Sequence, residues 1–252
     1  MPEQVVAIIP ARLASTRFPR KVLAARTGRP LIQHVVDAAA KSAVVHRVVV
    51  ATDADEVARA VRGFGGEVVL TREDHPNGTS RLAEAAASLG LGARDIVVNV
   101  QGDEPEIDPG LIDAAVQALR TSDAPVATVA SPFGAQEDPA NPNIVKAVVG
   151  RNGLALYFTR ALAPFPRDGT TAAGAGPFKH VGLYVYRREF LETYVRLAPT
   201  PLEETEKLEQ LRVLEHGHAI AVAICDSRHV GIDTPEQYDA FVERWERRNS
   251  GR

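Results

Sequence analysis

The feature that most constrains this chain is an alternation. Through its first half, short apolar runs rich in Val and Ile take turns with amphipathic helical patterns: VVAII then PLIQHVVDAAAKSA, RVVVAT then DADEVARAVRGFG, EVVL then GTSRLAEAAASLG, DIVVNV then DPGLIDAAVQALR. Strands without polar alternation must be covered on both faces, and a helix between successive strands forces a crossover. The pattern therefore predicts an α/β fold, a mostly parallel mixed sheet with helices on both faces. Local signals agree: Asp108 before Pro109 predicts a capped helix start, and Gly65 and Gly90 stand where helices should stop.

After residue 125 the rhythm changes. VATVAS, NIVKAVV, LALYFT and HVGLYVY follow one another without long helices between them, which predicts antiparallel or mixed strands added to the sheet. Ala161 to Pro177, rich in Pro, Gly and Ala, reads as a loop or arm. Thr200, Pro201 and Glu203 predict a capping box opening one helix through PLEETEKLEQLRVLEHG, and Thr234, Pro235 and Gln237 predict another for the last helix. No repeat or linker divides the chain, so residues 1–252 are expected to form a single domain.

A chain of 252 residues, 45% hydrophobic, can bury one substantial core, and its net charge of −3 offers no general field for nucleic acid or an anionic membrane. No apolar run reaches bilayer-spanning length and the opening residues lack a signal h-region, so a cytoplasmic protein is expected. Cys225, ending the run AVAIC, reads as a packed strand residue rather than a nucleophile.

Ligands of open parallel sheets bind where strands end at their carboxyl edge. There the first strand empties into PARLASTRFPRKVL, which crowds Arg12, Arg17 and Lys21 into a loop held by Pro10 and Pro19. No glycine-rich phosphate loop follows that strand, so these side chains would have to supply the charge-assisted bonds that a triphosphate needs. VVNVQGDEPEI delivers Gln101 and Asp103 to the same edge, where Asp103 could hold Mg²⁺ or serve merely as a turn cap. Asp233 in GIDTPEQY could complete a two-carboxylate metal site with Asp103, or cap the last helix. In TREDHPNGTSRL, Gly78 and Thr79 open a helix whose amides could face a nucleotide, flanked by Arg72 and Arg81. His75, His216 and His218 are expected to be surface residues without a catalytic role.

The stretches IPARLASTRFPRKVL, DHPNGTSR, VNVQGDEPEI, NPNIVKAV, ALYFTRA, KHVGLYVYRREFL, EKLEQLRVLEHG and GIDTPEQY, in that order, together resemble the 3-deoxy-manno-octulosonate cytidylyltransferase family, also called CMP-KDO synthetases. The resemblance implies a nucleotide-diphospho-sugar transferase-like fold. It implies a reaction in which CTP and the sugar acid KDO give CMP-KDO and pyrophosphate with Mg²⁺, for lipopolysaccharide biosynthesis. It further implies that Arg12, Arg17 and Lys21 hold the CTP phosphates, that Gln101 helps recognise cytosine, and that Asp103 and Asp233 hold the metal. Arg160, His180, Tyr184, Glu209 and Gln210 would line the sugar side, and a homodimer would form through an arm near residues 165–195. The family often has Gly where this chain has Arg20, Pro at Val22 and Ser at Asn77. A cytidylyltransferase for a related acid, sialic-type or amino-KDO, and a non-catalytic nucleotide-binding module remain alternative readings.

Overall fold

The computed structural model describes residues 2–14, 17–75, 77–227 and 231–250. Four parallel strands, β1 (Val5–Ala11), β2 (Arg47–Thr52), β3 (Glu67–Leu70) and β4 (Ile96–Asn99), alternate with helices α1 (Leu31–Ala39), α2 (Asp55–Gly63) and α3 (Gly78–Ser88), as the apolar alternation predicts. Then come α4 (Pro109–Arg120), β5 (Val126–Pro132), β6 (Lys146–Val149), β7 (Ala155–Thr159), β8 (Phe178–Arg187) and α5 (Arg188–Tyr194). Helices α6 (Pro201–Glu206) and α7 (Gln210–Glu215), strand β9 (Ile220–Ile224) and helix α8 (Pro235–Asn249) complete the chain.

One sheet runs β3-β2-β1-β4-β8-β5-β9, with β6 joining β7 to β8. Strand β8 is antiparallel to both β4 and β5, while β9 is parallel to β5, so the second half does mix directions. Along β1, Val5, Ala7 and Ile9 enter a core with α1, α2 and α4, whereas Val6 and Ile8 enter one with α3, α5 and α7. That division is what strand pleating does to a run buried on both faces. The sheet leaves β1 toward β2 on one side and toward β4 on the other. The carboxyl ends of β1 and β4 thus flank a switch in strand order, the place where an open α/β sheet leaves a crevice.

Two helix starts form as their caps predict. The Asp108 side chain accepts from the Gly110 amide at 2.8 Å, and Thr234 with Gln237 makes a reciprocal capping box on α8. Helix α8 then packs Tyr238, Phe241 and Val242 with Leu31 and Ile232, and Phe18 meets Tyr238 at 5.6 Å between ring centroids. The last helix is therefore fastened to the basic loop near the start of the chain.

Three stretches differ from expectation. The single helix expected from Thr200 breaks into α6 and α7 because Lys207 takes a left-handed conformation, φ 55° and ψ 48°. Glu206 holds that break: its carboxylate accepts from Thr159 Oγ1 at 2.7 Å and from the Arg160 amide at 2.9 Å, tying the end of α6 to the end of β7. The proposed arm also has to be redrawn. Residues from Phe178 onward form β8, in the middle of the sheet, and α5, packed on it, so only the exposed loop before Phe178 is left to project. Finally, His75 is buried rather than on the surface, its ring held by Ser80 and Glu84.

Candidate active site

Two cavities adjoin at the carboxyl edge of β1 and β4, with Gly78 and Gln101 in the wall of both. Their volumes, about 420 Å³ and 360 Å³, lie within the range of small-molecule sites.

The first cavity is charged. Arg12, Arg17 and Lys21 line it from the loop after β1, with Asp103 from the loop after β4. Lys21 Nζ lies 2.8 Å from Asp103 Oδ2 and 3.0 Å from Asp233 Oδ1, and Arg17 reaches the other oxygen of Asp233 at 3.0 Å. The two carboxylates, 130 positions apart in sequence, are thus brought onto one ammonium. The backbone does this directly: the Ile232 amide donates to the Asp103 carbonyl at 2.8 Å, joining the two acidic loops. Gly102 lets the β4 loop close on β1, since a Cβ there would stand 2.9 Å from the Pro10 carbonyl oxygen. Arg12 donates to the His75 carbonyl at 3.0 Å, which fastens the basic loop to the loop before α3. Asn77 caps α3, accepting from the Ser80 amide at 2.9 Å, so the helix begins at the shared wall.

The second cavity carries no such cluster. Tyr184, Tyr186, His180 and Gly182 from β8, Asn99 from β4, Tyr194 from α5 and the turn Lys207 to Gln210 surround it, with Thr79 beside Gly78. Asn99 and Tyr184 are cross-strand partners and share one face. Opposite the Thr128/Val129 step β8 bulges, leaving Gly182 and Leu183 out of register, and open space stands where a Gly182 Cβ would be. Burial pushes the His180 imidazole down to about 4, so the ring is neutral at neutral pH. The Thr128 hydroxyl donates to the Leu183 carbonyl at 2.7 Å and accepts from His180 Nε2 at 3.0 Å, which leaves Nδ1 as the ring's acceptor. Burial also raises the Tyr184, Tyr186 and Tyr194 phenols, keeping them protonated donors. Asn99 Oδ1, the Tyr184 hydroxyl and Gln210 Nε2 are buried without a hydrogen-bond partner. An acceptor, a phenol and an amide donor left unpaired in one cavity fit a ligand dense in hydroxyl groups, because burying such atoms unsatisfied is costly.

Most sequence-predicted residues thus line one cavity or the other: Arg12, Arg17, Lys21 and Asp103 the charged one, Gly78 and Gln101 both, and Thr79, His180, Tyr184, Glu209 and Gln210 the neutral one. Asp233 joins the charged cluster through Lys21 and Arg17. Three arginines do not line either cavity. Arg72 is exposed and paired with Glu84 at 3.2 Å, because the loop after β3 turns outward. Arg81 is fully buried, with Asp53 at 2.6 Å and Thr71 Oγ1 at 2.5 Å, one turn into α3 on its core face; it braces α3 against the ends of β2 and β3. Arg160 donates to the Glu206 carbonyl at 2.7 Å and to the Pro142 carbonyl at 3.1 Å, supporting the turn that carries Lys207 from behind.

A family model described as cytidylyltransferase matches residues 6–220. The 3-deoxy-manno-octulosonate cytidylyltransferase of Syntrophobacter fumaroxidans is 51% identical over 95% of this chain and 96% of its own; that of Geobacter metallireducens is 49% identical over 97% and 98%. The chain belongs to the 3-deoxy-manno-octulosonate cytidylyltransferase family. Its fold matches that of CMP:2-keto-3-deoxy-manno-octonic acid synthetase complexed with CTP, at a TM-score of 0.91 and 39% identity over 98% of this chain and 100% of that one.

Sequence reasoning missed Asn99, Tyr186, Tyr194 and Lys207 in this cytidylyltransferase. Asn99 had a signal, a polar residue ending the buried run IVVN. Lys207 had none, since nothing local marks a lysine for positive φ.

Proposed function

We propose that this cytidylyltransferase joins the CMP of CTP to the anomeric hydroxyl of KDO. The anomeric oxygen bonds to the α-phosphorus, the bond from that phosphorus to the oxygen bridging toward the β-phosphate breaks, pyrophosphate leaves, and the hydroxyl proton passes to water. The observation that carries this reading is the contact of the two cavities: a cationic site with two carboxylates shares Gly78 and Gln101 with a neutral site holding unpaired polar groups.

An anionic acid approaching a triphosphate is opposed by Coulomb repulsion, so the phosphates must be neutralised before orientation helps. Arg12, Arg17 and Lys21 would do this and stabilise charge developing on the departing oxygens. Gln101, in the shared wall, would meet the cytosine, while His180, Tyr184, Glu209, Gln210 and Asn99 would hold the sugar's hydroxyls. Two carboxylates meeting at one point form a hard oxygen donor set of the kind Mg²⁺ takes together with substrate phosphates. Asp103 and Asp233 would hold that ion, which when bound supplies charge neutralisation for the leaving pyrophosphate. In the cell the product would serve lipopolysaccharide assembly from the cytoplasm. Among the described residues, no helix is long and apolar enough to cross a membrane. A homodimer through the loop before Phe178 is supported by its Phe165, 76% exposed.

Pyrophosphate release with Mg²⁺, each of the four nucleoside triphosphates, and KDO, a sialic acid or amino-KDO tests the whole reading. CTP with KDO should exceed every other pairing at least tenfold. Faster turnover of another acid moves the substrate, and CTP binding without pyrophosphate release leaves only a binding module.

A further inference from the structure

Lys21 stands where a divalent ion would have to enter. Its Nζ touches Asp103 Oδ2 at 2.8 Å, Asp233 Oδ1 at 3.0 Å and the Ile232 carbonyl at 2.7 Å. Its side chain is 11% exposed, against 66% for Arg17, which meets the other oxygen of Asp233. An ammonium and a hard dication make the same demand, several oxygens at close range. That demand is already met by the lysine. Three cations, Arg12, Arg17 and Lys21, against two carboxylates also leave the cavity with net positive charge, so it exerts little pull on a free divalent ion.

We propose that Lys21 is a placeholder for the metal. The triphosphate draws its ammonium away from Asp103 and Asp233, and only then do the two carboxylates take up the ion, so metal and nucleotide enter as a coupled pair. This rests on reading the charged cavity as the nucleotide site. The chain makes the exchange a side-chain movement alone. Lys21 opens a short 3-10 turn, Lys21–Leu23, anchored by buried Val22, so the main chain stays while the flexible stem swings. The lysine and Asp103 line the same cavity, so the ammonium need not leave it.

The test uses Mn²⁺ as the probe, with free ion read by electron paramagnetic resonance and no nucleotide present. Lys21→Met should bind Mn²⁺ at least tenfold more tightly than the unaltered chain. Arg17→Met, which removes the same charge from a more exposed position, should gain less than threefold. Adding Asp103→Asn to Lys21→Met should abolish the gain. Lys21→Gln serves as a second variant should the methionine fail to fold, as judged by circular dichroism. The proposal is overturned if the folded Lys21 variants stay within twofold of the unaltered chain, if Arg17→Met matches them, or if the gain survives Asp103→Asn. Pyrophosphate release from CTP and KDO is measured separately, so a failure of the substrate assignment is visible apart from the fate of the metal exchange.

Discussion

The two cavities share a wall and are built on opposite plans. The charged one is assembled from loops: the basic segment after β1, the acidic turn after β4 and the segment before α8 meet through ion pairs and a backbone hydrogen bond between Ile232 and Asp103. The neutral one is cut into the sheet itself, from a bulge in β8, the end of β4 and a broken helix. Loops carrying long charged side chains can rearrange around a ligand that brings its own charge. Groups fixed on strands keep their positions, which suits discrimination among hydroxylated acids by unpaired polar atoms.

If the division holds, substitutions on the two sides should fail in different measurements. The largest loss belongs to Asp103→Ala, which should lower kcat about a thousandfold or more in pyrophosphate release while weakening CTP binding much less, because a metal anchor matters most when charge is developing. Equal losses in both would mean that Asp103 merely binds. Arg81→Met should break the division from outside. It leaves Asp53 beside the core without its partner and should destabilise the fold by about 3–5 kcal/mol in urea unfolding, with the KM for CTP little changed in the folded fraction.

His180 sharpens the neutral side through pH. Its folded pKa, about 4, lies below the value near 6.5 of an open chain, so the unfolded state binds the extra proton between those limits. Stability should therefore be full above pH 6.5 and fall as pH drops toward 4, by up to about 3 kcal/mol. His180→Gln should flatten that part of the urea-midpoint profile; an unchanged slope would assign the acid loss to other groups. Gly182→Val should fill the space at the bulge, raising the KM for the sugar acid roughly tenfold, about 1.4 kcal/mol, and that for CTP less than twofold. The smallest effect falls on Arg20, which sits at φ 60° and pairs with Glu56 at the surface. Arg20→Gly should shift stability by less than about 1 kcal/mol, relief of the left-handed backbone offsetting the lost exposed pair.

The same contrast governs what could be read in advance. The charged side was legible because its residues come in short runs at the ends of strands that the apolar pattern already marked, so position and residue type pointed one way. Asp108 and Thr234 were legible as caps for a similar reason: the partner atom lies within a few residues. The neutral side depends on contacts that no local pattern carries. Nothing in the local sequence sets Tyr186 or Tyr194 apart from packing aromatics, and the break at Lys207 is fixed by Glu206 reaching back to Thr159 and Arg160. Arg81, expected to flank a nucleotide, lies one turn before Ala85 on the buried face of its helix, a phase that the apolar pattern of the segment already marks.

Fastening Asp233 and α8 to the loop around Lys21 has a consequence for the order in which the molecule becomes competent. A ribosome releases Lys21 more than two hundred residues before the carboxylate that answers it. The sheet can therefore close, and much of the core dry out, while the charged cluster still lacks one of its two acids. A chain terminated before Asp233 would be a nearly complete scaffold whose charged cavity keeps Asp103 but lacks the second carboxylate beside Lys21.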